Sequence, residues 1–291
     1  MTDDNRSPRR NGSGLVRDIE ILDLLSAPEA LEAGGLGVVR IAELTARDKT
    51  VISRTLATLA EAGLLARDSS TLSYRLGPRL YALAARTAEA TLVTEARPYL
   101  RRIARHTRET THLCVLRGGN VLTLISELSP YEVRTTGWEG VTTAAWRTPS
   151  GRVLISDWDE PALLDWYREH GEDRALVGPT GAPLTSSMFT VLDTPQAGTS
   201  KIVDLDSLKA ELALIRSRGY AVSEEELELG VVAASAPVVD FTGRVIAAVN
   251  VSGPKARVGD RLDKLGAYVG QAAVPLSRHL GATADHLPAG H

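Results

Sequence analysis

Residues 41–65 read IAELTARDKTVISRTLATLAEAGLL, and the way this stretch divides decides the fold. Residues 39–44 predict a short helix and 46–48 a turn. Residues 49–62 predict a second helix, halted at Gly63, which is free to adopt the left-handed conformation that closes a helix. On that second helix Ile52, Leu56 and Leu59 recur at i, i+4 and i+7 and form a buried stripe, leaving Thr50, Arg54 and Thr58 opposite. Upstream, Leu15, Val16, Ile19, Leu22 and Leu25 recur at helical steps, with Ser13 or Gly14 as cap, an end near Pro28, and then a loop holding Gly34, Gly35 and Gly37. Downstream, residues 64–67 and 72–76 flank a polar turn at 68–71 and predict a hairpin. Three helices and then a hairpin is the winged helix-turn-helix order.

In such a unit the second helix of the motif enters the DNA major groove, where base edges offer acceptors and thymine methyls and phosphates line the rim. Short hydroxyl side chains and an arginine suit that surface. Lys49, Thr50, Ser53, Arg54 and Thr58 are therefore the expected DNA contacts on the helix, with Lys49 and Thr50 at its N-terminus, where free N–H groups favour phosphate. Arg67, Ser69, Ser70 and Tyr74 on the hairpin could reach the DNA backbone or minor groove, and Glu61 is expected to point away. Net charge over the whole chain is −3. Residues 40–79, however, hold seven basic groups (Arg40, Arg47, Lys49, Arg54, Arg67, Arg75, Arg79) against four acidic ones (Glu43, Asp48, Glu61, Asp68). That excess supports DNA binding only weakly.

Gly77-Pro78 punctuates the end of this unit, and Pro78 suits the first turn of a linker helix reaching to about residue 92. A helix at 95–106 precedes strands at 112–117 and 121–127, joined at Gly118-Gly119-Asn120. Residues 177–200 lack periodicity and read as a loop, and helices at 206–218 and 260–280 bracket strands at 230–239 and 244–252 that turn at 240–243. Strand alternation places Asn250 and Ser252 on one face, with Val249 and Val251 on the other. The expected organisation is a tail at 1–13, the winged helix at 14–77, the linker helix at 78–93, a second domain at 94–282 and a tail at 283–291. The fold class is α+β.

At 291 residues the chain suits two domains, and 43% hydrophobic with 24% charged residues is the composition of a soluble protein. No apolar run approaches a membrane span, and the opening MTDDNRSPRRNG lacks a signal peptide's apolar stretch, so a cytoplasmic address is expected. The single cysteine, Cys114, sits among apolar neighbours and reads as a buried, inert strand residue. Neither a dinucleotide loop, a Gly-x-x-x-x-Gly-Lys run nor a Gly-x-Ser-x-Gly elbow is present, and the six histidines are scattered without metal spacing. No catalytic residue, cofactor or metal is expected. The competing reading, from another class, is an enzyme that uses its helix-turn-helix for protein interaction.

Three stretches carry a family resemblance: residues 41–65; ELALIRSRGYAVSEEELELGVVAASAPVVDFTGRVIAAVNVSGPKAR at 211–257, the most specific; and TPSGRVLIS within 140–156. Together they resemble the IclR family of bacterial regulators over roughly residues 15–281. The resemblance implies a dimerising linker helix and a C-terminal GAF-like effector domain, a curved antiparallel sheet with helices on one side and a pocket in its concave face. By position it implies effector contacts at Thr143, Trp146, Pro149, Ser150, Ser223, Ala233, Asn250 and Ser252. Its departures are Trp146 for the usual His, Arg152 for Lys, and a longer loop at 182–200. The Trp146 ring would favour a sizeable or aromatic ligand. Glu224, Glu225 and Glu228 read as a solvated loop, with Glu226 aligned to the family's most typical acid. The partners implied are a palindromic double-stranded DNA operator, a small-molecule effector and other copies of the chain, as a homodimer or dimer of dimers, and no membrane.

Overall fold

The computed structural model describes residues 14–135, 139, 142–171, 176–177 and 200–287. Its residues form two compact units that divide after Thr91.

The first unit contains α1 (Gly14–Ser26), α2 (Pro28–Glu32), α3 (Val38–Thr45), α4 (Lys49–Glu61), the strands β1 (Leu65–Arg67) and β2 (Tyr74–Leu76), and α5 (Pro78–Ala84). Ile21, Leu25, Ile41, Ile52, Leu56, Leu65 and Tyr74 form its core. Leu15, Val16 and Ile19 are exposed on α1, so its apolar periodicity is buried only at the C-terminal end, where Ile21 and Leu25 meet the other helices. The short α2 escapes sequence reading: Pro28 starts it, and it lasts only five residues. Ala46 takes a left-handed φ of 51° in the bend between α3 and α4, and Gly63, at φ 74°, closes α4 as its position predicts. The second hairpin strand begins at Tyr74 rather than residue 72, because Leu72 is itself left-handed (φ 59°) and cannot join the ladder.

The expected single linker helix over 78–93 is instead two helices, α5 and α6 (Ala88–Thr107). Thr87 interrupts them. Its hydroxyl donates to the Ala84 carbonyl (2.8 Å) and accepts from the Ala90 N–H (3.2 Å), ending one helix and capping the next.

In the second unit the strands β3 (Thr110–Arg117), β4 (Asn120–Glu127), β5 (Thr142–Ala144), β6 (Leu176–Val177), β7 (Ala221–Glu224), β8 (Val231–Val239) and β9 (Val245–Pro254) form one antiparallel sheet in the order β6-β5-β4-β3-β9-β8-β7. Helices α7 (Pro149–Leu154), α8 (Glu160–His170), α9 (Leu205–Arg218), α10 (Lys255–Val258) and α11 (Leu262–His279) complete it. The expected loop at 177–200 lies almost entirely outside the described residues, as do the tail at 1–13 and residues 288–291.

Strand alternation assigns the faces. Leu113, Val115, Val249 and Val251 look toward Leu100 and Ile103 of α6 and Val269, Ala273 and Leu276 of α11. Cys114 and Ala248 look the other way, into a cluster with α7, α8 and α9 that includes Val153, Leu163, Leu208 and Leu212. Helices thus cover both faces, where the resemblance implied one. Among the described residues no helix is long and apolar enough to cross a membrane.

Candidate functional site

Two surfaces hold the expected contact residues, one in each unit. On α4, Ile52 and Leu56 are fully buried, and Lys49, Thr50, Ser53, Arg54 and Thr58 are all exposed, as the helical period requires. The free helix N-terminus does not survive. Asp48 caps it: one carboxylate oxygen accepts from the Thr50 N–H (2.8 Å) and the Val51 N–H (3.2 Å). Those two bonds, Val51's the larger contribution, hold the Asp48 carboxyl below its usual range. Any phosphate at this end would meet the Lys49 and Thr50 side chains beside a fixed negative charge, with the Thr50 and Val51 amides already taken. The Thr58 hydroxyl is turned back onto the Arg54 carbonyl (3.1 Å).

On the hairpin, Arg67 and Ser70 are exposed, but Tyr74 is buried in the core with the Arg67 guanidinium 5.5 Å from its ring centre. Tyr74 therefore offers nothing to DNA. Ser70 is engaged as well, its hydroxyl donating to Asp68 at 2.5 Å.

The second surface is a partly open cavity of about 80 Å³ on the sheet face that carries α7. The strand register builds it from two cross-strand rows. One runs Ser223, Ala233, Ser252, Thr110 across β7, β8, β9 and β3; the next runs Ala221, Ser235, Asn250, His112, Ser126 and continues onto β4. Ser223, Ala233, Ser252, Asn250 and His112 line the cavity, with Thr143 from β5 and Thr148, Pro149 and Ser150 from the start of α7. Among the described residues, Cys114, Val121, Thr123, Thr135, Leu227, Glu228, Val231 and Val232 also line it. Seven of the eight expected effector contacts thus meet at one place.

Trp146 does not. It occupies a 3-10 turn, Ala145–Arg147, so the alternation that turns Thr143 inward stops before it. Its ring packs in the cluster with Val153 and Leu163 beneath the Arg147 guanidinium, 4.1 Å from the ring centre, and its buried indole N–H has no partner. The case for an aromatic ligand that rested on this ring loses its basis.

Polar order within the cavity centres on His112. Its Nδ1 bonds to the Ser126 hydroxyl (2.8 Å) and its Nε2 to the Ser252 hydroxyl (3.0 Å), which also bonds to Thr135 (2.8 Å). Burial lowers the His112 pKa to about 4 despite the Glu139 carboxylate, so at neutral pH the ring is an uncharged orienter. Burial also pushes the Cys114 thiol up to about 11, leaving it inert, as its apolar neighbours suggest. Asn250 Oδ1 is buried without a hydrogen-bond partner. Glu228 lines the wall instead of standing in a solvated loop, and burial raises its pKa. Glu224 and Glu225 hold Lys255.

Beside the cavity, α7 is buried from end to end. Arg152 donates through Nη1 and Nη2 to the two oxygens of Glu226 (3.1 and 2.6 Å) and through Nε to the Trp146 carbonyl (2.9 Å). Glu226 also accepts from the Lys201 N–H (3.1 Å). Among the described residues no group of three or more His, Cys, Asp or Glu is placed to hold a metal.

Among the missed wall residues, His112, Thr123 and Thr135 carry no sequence motif; the pairing of β3 with β9 brings the histidine to Asn250, and that with β4 brings it to Ser126. Glu228 was misread because an acidic run normally faces water.

The profile of the family described as bacterial transcriptional regulator IclR, C-terminal, matches residues 84–181 and 174–278. The chain belongs to the IclR family. Among curated relatives, the HTH-type transcriptional repressor AllR of Escherichia coli K12 is 30% identical over 115 residues, 39% of this chain and 42% of AllR. The regulator BhcR of Paracoccus denitrificans is 39% identical over 77 residues, 26% of this chain and 28% of BhcR. Each match thus spans less than half of the relative. Solved structures share the IclR fold along the chain: Thermotoga maritima IclR at TM-score 0.68 and 23% identity covers 92% of this chain and 98% of its own. An IclR homologue from Microbacterium hydrocarbonoxydans complexed with 4-hydroxybenzoate reaches TM-score 0.70 at 21% identity, covering 93% and 100%.

Proposed function

We propose that this chain is a transcriptional regulator without enzymatic activity of its own, acting in the cytoplasm, whose binding to a palindromic operator is modulated by a small organic effector in the cavity of the second unit. The observation that carries the reading is the division of α4: Ile52 and Leu56 wholly buried, and Lys49, Thr50, Ser53 and Arg54 displayed together on the outside. Arg54 is the base reader in this proposal, with Lys49 and Arg67 holding phosphates and Thr50, Ser53, Thr58 and Ser70 in secondary contacts. A dimer presents two such helices to two half-sites, and the effector acts by binding one arrangement of the dimer more tightly than another. That a structural neighbour is complexed with 4-hydroxybenzoate supports a small organic effector. Footprinting on DNA flanking the protein's own coding region tests the reading: protection of a two-fold symmetric site is expected, and no protected site at low salt overturns it.

A further inference from the structure

We propose that α4 reads thymine methyl groups through Val51 and Thr58, one on either side of the base read by Arg54. The inference rests on α4 being the DNA-reading helix, as proposed above, and names a feature of the sequence it selects.

Val51 is 49% exposed on a helix whose other large apolar side chains, Ile52, Leu56 and Leu59, turn into the core. Val51, Arg54 and Thr58 stand at i, i+3 and i+7, so they form one row along the outside of α4. Thr58 joins this row as a methyl group. Its hydroxyl donates back to the Arg54 carbonyl (3.1 Å), which leaves the methyl for a partner. Neither residue serves the helix itself, because β-branched side chains lose rotamer freedom there and both of these stay exposed.

A phosphate does not suit this row beyond Arg54. Val51 has no side-chain donor, and the one donor of Thr58 is already engaged. In the major groove an apolar group finds the C5 methyl of thymine, which the other three bases lack, while an arginine between two such groups finds the acceptor edge of guanine. From residue 51 to residue 58 an α-helix rises about 10.5 Å, and base pairs stack at about 3.4 Å, so the two side chains address different base pairs, about three steps apart.

The test selects bound duplexes from a random-sequence library with the full chain, then replaces single thymines of the selected half-site by deoxyuridine. That exchange removes the C5 methyl and nothing else. Two thymines flanking the Arg54-dependent base pair are expected, and at each the exchange should weaken binding about fourfold, the worth of one buried methyl group. Val51→Ala should abolish the difference between thymine and deoxyuridine at one of them and keep it at the other. Thr58→Ser, which keeps the hydroxyl and loses the methyl, should abolish it at the second, whereas Thr58→Val should preserve it. The ratio is taken within each variant, so it does not depend on how much of that variant is folded. Selected sites without these thymines overturn the proposal, as does a methyl dependence that survives Val51→Ala and Thr58→Ser. Enrichment of no sequence at all removes the regulator reading together with this one. A two-fold site whose recognition depends on Arg54 but not on any thymine methyl removes this inference alone.

Discussion

Arg152 on α7 and Glu226, 74 positions later, form a two-toothed ion pair in which both side chains are wholly excluded from solvent. The pair fastens the α7 segment, which supplies Pro149 and Ser150 to the cavity, to the loop that supplies Leu227 and Glu228. Both charges are dehydrated, so the geometry has to be nearly complete for the pair to exist at all. The third Arg152 bond, to the Trp146 carbonyl, and the Lys201 N–H on Glu226 complete it.

Removing one partner strands the other. Glu226→Gln and Arg152→Met should each destabilise the chain by about 3–5 kcal/mol in urea unfolding, with the double variant losing clearly less than the sum. Arg152→Lys, which keeps the charge but not the fork, should fall between wild type and Arg152→Met. Additive losses would show that the two side chains act separately.

Stability should depend on pH through His112. Folded, this ring titrates at about 4 against an ordinary 6.5, so between those values the unfolded chain binds the extra proton. The cost is absent above about pH 6.5, grows as pH falls towards 4, and levels off below. Its full size is on the order of 3 kcal/mol at 1.36 kcal/mol per pKa unit. Denaturant titrations from pH 7.5 to 4.5 should show this loss in wild type and a shallower one in His112→Gln. Parallel curves would contradict the burial assigned to the ring.

Helix α4 makes a separable prediction about DNA. Arg54→Ala should lose about 1–3 kcal/mol of discrimination at one base position in each half-site, with the fold unchanged by circular dichroism. Lys49→Ala should weaken binding to all sequences alike and reduce the slope of log K against log salt by about one unit per subunit. Footprints and salt titrations read both. Asp48→Asn, which removes the charge beside Lys49 and keeps a cap, should tighten binding to every sequence.

Gly151 is confined by backbone. A Cβ there would lie 2.1 Å from the Ala145 carbonyl oxygen and 2.3 Å from the Ala145 Cα, atoms that cannot swing aside. Gly151→Ala should therefore cost at least about 1–3 kcal/mol. Because the displaced helix begins at the cavity, the variant should also lose its response to any ligand that stabilises wild type; an unaltered melting temperature would refute the close approach.

Legibility in the sequence followed the range of the interactions. The stripe Ile52 and Leu56, the stop at Gly63, and the split of Asn250 and Ser252 from Val249 and Val251 all depend on neighbours within about eight positions, where the helical and strand periods act directly. The wall residues Thr143, Pro149, Ser150, Ser223 and Ala233 were reached through family resemblance alone, since no local pattern marks them, whereas the strand period also set Asn250 and Ser252 on one face. Trp146 was carried over by the same resemblance, and the 3-10 turn in which it sits instead packs its ring into the cluster with Val153 and Leu163. The amides of α4 were misjudged because Asp48 has two readings, a turn residue or a cap, and only the chain's actual path puts its carboxylate 2.8 Å from the Thr50 N–H.

What the amino-acid order determined by itself is most of the longer elements, the buried stripe of α4 with the polar face opposite it, and the two faces of the strand at 249–252. Those are one-dimensional periodicities, set by backbone geometry whatever else the chain does. The tertiary structure alone decided which strands lie side by side, and hence that His112 stands across from Asn250 and that Arg152 finds Glu226. Such pairings join residues more than 70 positions apart, and their stability depends on burial and register that exist only after the sheet has closed over them.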